Sequence, residues 1–296
     1  MKIAHSPSQV ERQPRAVAIG TFDGMHRGHL SVVQAAIDSG LAPTAITFDP
    51  HPRIALGNRV ELITTLERRL ELLAEAGVET TLVAGFTPEL MRLAPEEFAA
   101  SYLRAIDAEA VAAGSDFRFG SRRQGDLGTL ERLGFRLLDV PWVDGVSSSA
   151  VRAAVAEGDL ATAAAMLGRP YELDGVVVAG DQRGGTLGYP TANLSVDPSV
   201  LVPRYGIYAG AVHAADVGTR RAAISIGLNP HYGGEERRIE PHLLDFEGDL
   251  YGRRLVIELW ERLRDEQVFE SEQELIDQIA RDVEATRRAV RPQYVD

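Results

Sequence analysis

Two histidines three residues apart, His26 and His29, follow a short apolar run in this 296-residue chain and open an amphipathic one. In Gly20-Thr21-Phe22-Asp23-Gly24-Met25-His26-Arg27-Gly28-His29 that spacing projects both imidazoles from one face of a first helical turn. Helix N-terminal N–H groups and the helix dipole favour an anion there. Gly24 and Gly28 allow close backbone approach. Two imidazoles could then donate to a phosphoryl group whose charge grows in a transition state. Two other readings stay open. One is a pair of surface histidines. The other is a metal site, for which no further ligand stands nearby at a matching spacing.

A second group lies far along the chain. Gly180, Gly184, Gly185 and Gly188 fall within one short stretch, a loop that bends sharply or approaches a ligand. Such a loop presents N–H groups to phosphates without a lysine. Thr191 and Asn193 point the same way on an extended segment, and their hydroxyl and amide oxygens suit Mg²⁺. The plain alternative is a glycine-rich turn before a strand with a polar face. Glu258 interrupts Leu255–Trp260, a run otherwise apolar on both faces. Desolvation should raise its pKa, which suits a general base for a hydroxyl group. An ion pair with an arginine such as Arg262 is the equal alternative. Ser148 with Arg152 one turn on, at another helix start, suits a phosphate, or Ser148 is a plain cap.

Composition narrows the field. The net charge of −12 argues against a non-specific nucleic-acid binder. It leaves small phosphate compounds open, since a few arginines and backbone N–H groups hold those locally. The absence of cysteine excludes disulfides, thiolate nucleophiles and cysteine-ligated zinc. The single lysine, Lys2, leaves no Walker-type lysine. No run approaches the roughly 20 apolar residues of a bilayer span. Met1–Ser6 carries no apolar segment of a signal peptide, so the expected location is cytoplasmic, with no membrane partner.

The elements that must position these residues change character midway. Arg15–Gly20, Thr44–Phe48, Thr80–Ala84, Ala108–Ala113 and Arg136–Val140 read as short strands. Between them run helical patterns: Leu30–Ser39, a helix opened by the Thr64/Glu67 capping-box spacing, and one with Pro95 in its first turn. The alternation predicts an α/β domain, a parallel sheet covered by helices on both faces. Ligands bind such sheets at the carboxyl ends of the strands. The helical stretch Ala150–Leu167 follows. After Arg169-Pro170 come β runs at Leu173–Ala179, Ile207–Val212, Arg221–Ile226, His242–Phe246 and Leu255–Trp260, then a helix capped by Ser271 and Glu274. These predict a small antiparallel barrel or sandwich. The expected domains are residues 1–169 and 170–296.

The motifs resemble a known family. F-D-G-x-H-x-G-H at Phe22–His29 is similar to the nucleotidylyltransferase signature in its FMN adenylyltransferase form. Phe48–Pro52, Gly114–Gly120 and Val146–Arg152 resemble that family's later motifs in the same order. The stretch Gly180–Asn193 resembles the riboflavin kinase signature, as do Ser225–Pro230, His242–Phe246 and Leu250–Gly252 further on. Together they are similar to the prokaryotic bifunctional FAD synthetases, with a Rossmann-like adenylyltransferase domain followed by a β-barrel kinase domain with a terminal helix.

The resemblance implies ATP, riboflavin and FMN as substrates, with Mg²⁺. It implies that His26 and His29 hold the ATP phosphates, flanked by Gly20, Phe22, Asp23, Gly24 and Gly28, with Ser148, Ser149 and Arg152 on the β- and γ-phosphates. Asp116 and Phe117 would line the flavin. Gly180, Gly184, Gly188, Thr191 and Asn193 would bind MgATP in the kinase, and Glu258 would activate the ribityl hydroxyl. Gly185, His231, Asp116, Ser149 and Ala150 depart from the family's common residues. Self-association is left open.

Overall fold

The structure is a computed structural model describing residues 1–179, 188–228 and 237–293. The chain divides into two compact units: residues 1–60 with 66–147, and residues 61–65 with 148–296.

The first unit contains β1 (Lys2–Ala4), β2 (Arg15–Ile19), α1 (Arg27–Ile37), β3 (Ala42–Asp49), α2 (Pro52–Ala55), α3 (Leu66–Glu75), β4 (Thr80–Gly85), α4 (Pro88–Arg92), α5 (Pro95–Phe98), β5 (Ala108–Ala112), α6 (Leu127–Arg132) and β6 (Arg136–Leu137). The strands form one parallel sheet in the order β1-β4-β3-β2-β5-β6. Alternate residues of each strand enter opposite cores. Val17, Ile19, Ile46, Leu82 and Val111 pack with Phe98, Leu103 and Leu130. Ala16, Ala18, Ala45, Ala110 and Ala112 meet Val32, Val33 and Ala36 of α1 and Leu72 and Leu73 of α3. Alanines on that face let α1 seat close to the sheet. The expected strand Arg136–Val140 pairs only over Arg136–Leu137, with Leu138 N–H still bonded to Val111. It is the sheet edge, and the chain soon reaches Pro141, which has no N–H to pair.

The second unit holds α7 (Ser148–Glu157), α8 (Leu160–Leu167), β7 (Tyr171–Val178), β8 (Asn193–Val196), β9 (Gly206–Ala214), β10 (Gly218–Leu228), β11 (Arg237–Leu243), β12 (Arg254–Arg264) and α9 (Glu272–Arg288). Its strands run antiparallel in the order β11-β10-β9-β12-β7-β8. The ends of that order meet: Ala192 N–H donates to the Pro241 carbonyl at 3.0 Å, just before β8. The sheet is therefore a nearly closed barrel, not a sandwich. Gly210 sits where β9 crosses β12. A Cβ there would lie 1.9 Å from the Glu258 carbonyl oxygen. The helix α9 begins as expected, with Glu274 N–H on Ser271 Oγ at 3.3 Å.

Two features of this unit differ from simple pattern reading. The composition changes at residue 169, whereas contacts divide the chain between Ser147 and Ser148. The reason is that α8 packs on β7 and β12 through Leu160, Ala163, Ala164, Met166 and Leu167. Further, only His242 and Leu243 of the run expected at His242–Phe246 are strand, the end of β11, which starts at Arg237. Asp245 takes a left-handed φ of 55° and ends the extended run. The early half of β11 was hidden because Arg237, Arg238, Glu240 and Pro241 do not read as a strand. Pro241 is tolerated because it lies on an end strand and offers its carbonyl to the seam.

Candidate active sites

The loops after β2, β3 and β5 leave from the carboxyl edge of the parallel sheet, and they carry the first set of expected residues. His26 is the N-cap of α1, its Nδ1 accepting the His29 N–H at 3.2 Å. Nδ1 being the acceptor, the proton of the neutral ring sits on Nε2, making that nitrogen a donor. The two imidazoles stack with centroids 3.6 Å apart and planes 14° apart. Phe22 meets the His29 ring edge-on at 5.5 Å. The glycines fit this geometry: a Cβ on Gly28 would lie 3.3 Å from His26 ring atoms, and one on Gly20 3.0 Å from the Phe22 ring. Phe22, Gly24 and Met25 all have positive φ, at 51°, 84° and 39°. His26 is buried and His29 half-buried at the positive end of α1, which has no acidic residue in its first turn.

The neighbouring loops are less committed. Asp49 is exposed, and His51 caps α2, its Nδ1 accepting the Arg53 N–H at 3.2 Å. Asp116 is exposed and Phe117 half-buried. Phe117 stacks on Phe119 at 5.5 Å, and Phe119 belongs to the core. Ser148 is the first residue of α7, so the cap position falls to Ser147. Ser148, Ser149 and Arg152 group with the second unit, where Arg152 Nε donates to the Glu61 carbonyl at 2.7 Å.

The second set gathers at the barrel seam. Gly180 and Gly184, with Gly185 and His231, lie outside the described residues. Gly188 has φ 84°. Thr191 and Asn193 are half-buried, and Leu194 turns inward. Across the Ala192–Pro241 hydrogen bond, Ile239, Pro241 and Leu243 of β11 face the interior. The alternation puts Arg238, Glu240 and His242 on the outer face beside Thr191 and Asn193. His242 Nδ1 lies 2.8 Å from the Pro190 carbonyl, and its ring meets Tyr189 edge-on at 5.4 Å. Glu240 Oε1 accepts from Arg238 at 3.4 Å.

Glu258 is not brought to this seam. Along β7, Asn193 stands opposite Val178 and Glu258 opposite Glu172. Those six residues amount to about 20 Å at 3.3 Å per residue. Its carboxylate accepts from Trp260 Nε1 at 2.7 Å, from Arg291 Nε at 2.8 Å and from Arg291 Nη2 at 2.7 Å, with His213 Nε2 at 3.2 Å. Burial pushes the Glu258 carboxyl up, but the hydrogen bonds from Arg291 and Trp260, with His213 close by, outweigh it and hold it at about 2. The expected upward shift is therefore reversed. The ion-pair alternative holds, with Arg291 in place of Arg262, which instead donates to Tyr205 and Asp265. Glu240 is the carboxylate that pattern reading missed. Its signal was the in-out alternation of Ile239, Pro241 and Leu243, masked by the charges and the proline.

The comparisons with known proteins match the two halves of the chain to two different families. A riboflavin kinase family profile matches residues 167–290, and an FAD synthetase profile matches residues 8–152. The chain is 35% identical to a bifunctional riboflavin kinase/FMN adenylyltransferase of Listeria monocytogenes, covering 92% of this chain and 91% of that one. It is 36% identical to a protein of the same description from Escherichia coli K12, covering 94% and 93%. A crystal structure described as a macrolide-efflux protein of Streptococcus pneumoniae is 31% identical, with TM-score 0.87 and coverage of 97% and 99%. That description applies to that protein; no helix among the described residues here is long and apolar enough to cross a membrane. The chain belongs to the bifunctional riboflavin kinase/FMN adenylyltransferase family.

Proposed function

We propose that the barrel phosphorylates riboflavin to FMN and that the parallel-sheet domain then adenylylates FMN to FAD, each with its own ATP. The observation that carries this reading is the pair of separate constellations: stacked imidazoles at the head of α1, and oxygen donors gathered on the barrel seam.

In the kinase the ribityl hydroxyl oxygen attacks the γ-phosphorus, the bond from that phosphorus to the β-bridging oxygen breaks, and ADP leaves. Glu240 takes the hydroxyl proton in this reading, which its share of the outer seam face with Thr191 and Asn193 supports. Thr191 Oγ1, Asn193 Oδ1 and the Glu240 carboxylate are hard oxygen donors, which suits Mg²⁺ better than a softer metal. Mg²⁺ supplies neutralisation of phosphate charge, and Thr191 and Asn193 are the residues that would hold it with the nucleotide.

In the adenylyltransferase an FMN phosphate oxygen attacks the α-phosphorus of ATP, and diphosphate leaves. The nucleophile is already ionised, so no base is needed. His26 Nε2–H and His29 donate to oxygens whose charge grows, and the α1 dipole adds to them. Gly20, Phe22, Asp23, Gly24 and Gly28 shape this turn, and Asp116 and Phe117 contribute the flavin side.

Pure protein is incubated with ATP and Mg²⁺ and with riboflavin or FMN supplied separately. FMN then FAD from the first, and FAD from the second, are expected. Flavin binding with no turnover would refute the assignment.

A further inference from the structure

Arg69, in the first half of α3, carries a charge that the chemistry above does not use. It is 1% exposed. Burying a guanidinium is costly unless charges and hydrogen bonds offset it. Among the described residues its hydrogen bonding is thin: one Nη donates to the Phe48 carbonyl at 3.4 Å, and Nε has no acceptor. What opposes the cost of burial is the charge of Asp23 and Asp49. Asp49 is exposed, but Asp23 is 0% exposed.

Asp23 occupies the turn where Phe22 and Met25 both take left-handed backbone conformations, φ 51° and 39°. Such conformations persist in non-glycine residues only where the surroundings over-determine them. The same turn delivers His26 to the cap of α1 and His29 to its first turn. Phe48, whose carbonyl accepts from Arg69, is the penultimate residue of β3, next to the loop that leads to His51. The buried cation thus holds the end of β3, which pairs with β2 and whose Thr47 hydroxyl donates to the Thr21 carbonyl at 3.0 Å, at the start of the histidine turn.

We propose that Arg69 is a positioning residue for adenylyl transfer, holding the histidine turn by way of the end of β3. It touches no reacting atom. It keeps the two imidazoles where the growing charge will be. This rests on the assignment of adenylyl transfer to the His26/His29 turn.

The test uses the full chain with FMN or riboflavin supplied separately. Arg69→Met should lower kcat for FAD formation by about tenfold to a hundredfold and leave KM for ATP and FMN within about twofold, since interactions made in the transition state are the ones lost. Arg69→Lys, which keeps the charge, should recover most of that loss. Riboflavin phosphorylation should be unaltered in both, which also reports folding of the second unit. Circular dichroism reports folding of the first; should Arg69→Met not fold, Arg69→Gln takes its place with the same expectations. An unchanged kcat, a loss seen in KM alone, or an Arg69→Lys variant as slow as Arg69→Met overturns the inference. His29→Ala run alongside separates the two levels. If it retains FAD formation, the site assignment fails; if it is inactive while Arg69→Met is normal, only the inference about Arg69 fails.

Discussion

Replacing Glu258 with glutamine separates a chemical part for this residue from a structural one. The side chain is 2% exposed and accepts from Trp260 and twice from Arg291, with His213 close by. Lowering its pKa from 4.5 to about 2 corresponds to about 3 kcal/mol at neutral pH. The Arg291 side chain is 53% exposed, so solvent screening trims this to about 2 kcal/mol. For a unit of this size that is a fall of roughly 4–8 °C in Tm. The folded pKa lies below the unfolded one. The stabilisation is therefore complete above pH 4.5 and drains away as pH falls toward 2. Thermal melts of wild type and Glu258→Gln should thus differ most at neutral pH and converge in acid. At temperatures well below either Tm, FMN formation should stay within a few-fold of wild type. Arg291→Gln should cost at least as much, because it strands a buried carboxylate, and the double variant should show strong non-additivity. A hundredfold loss of FMN formation with an unaltered Tm would refute this reasoning and return the base to Glu258.

Other outcomes follow from the same geometry. Glu240→Gln should slow riboflavin phosphorylation by about 10²–10⁴ and leave FMN-to-FAD conversion untouched; a normal kinase rate would place the base elsewhere. His29→Ala should lower FAD formation by about 10² or more and spare FMN formation, and loss of both in a folded protein would contradict independent sites. Asn193→Ala should raise the Mg²⁺ and ATP concentrations needed for half-maximal kinase rate, with no change in the adenylyltransferase. Gly28→Ala puts a methyl 3.3 Å from the His26 ring and should slow FAD formation several-fold; unchanged turnover would show that the stacked imidazoles tolerate displacement.

Much of this protein is decided locally. The apolar strands, the glycine after β2 and the spacing of His26 and His29 need only neighbouring residues to specify a strand, a tight turn and a helix start. The Ser271/Glu274 cap is equally local. Those signals specify the strand–helix alternation of the parallel-sheet domain and the series of β runs that follows it. They also placed Thr191 and Asn193 on one face of an extended segment.

What local signals do not contain is which distant groups meet. Glu258 looked like a desolvated base because its neighbours in sequence are apolar. Its partner, Arg291, lies beyond a whole helix, and only the return of the chain after α9 brings that cation to the carboxylate. Glu240 looked unremarkable because its strand is full of charge and contains a proline. Its proximity to Thr191 and Asn193 is created by closure of the barrel, a contact between the two ends of the strand order. Arg69 reads as one more charge on an amphipathic helix, and only packing against the sheet makes it a buried cation on the Phe48 carbonyl. Sequence fixes which groups are available and which face of each element they occupy. Their protonation and their partners are set by fields and contacts that decay over a few ångströms, so tertiary structure alone decides them.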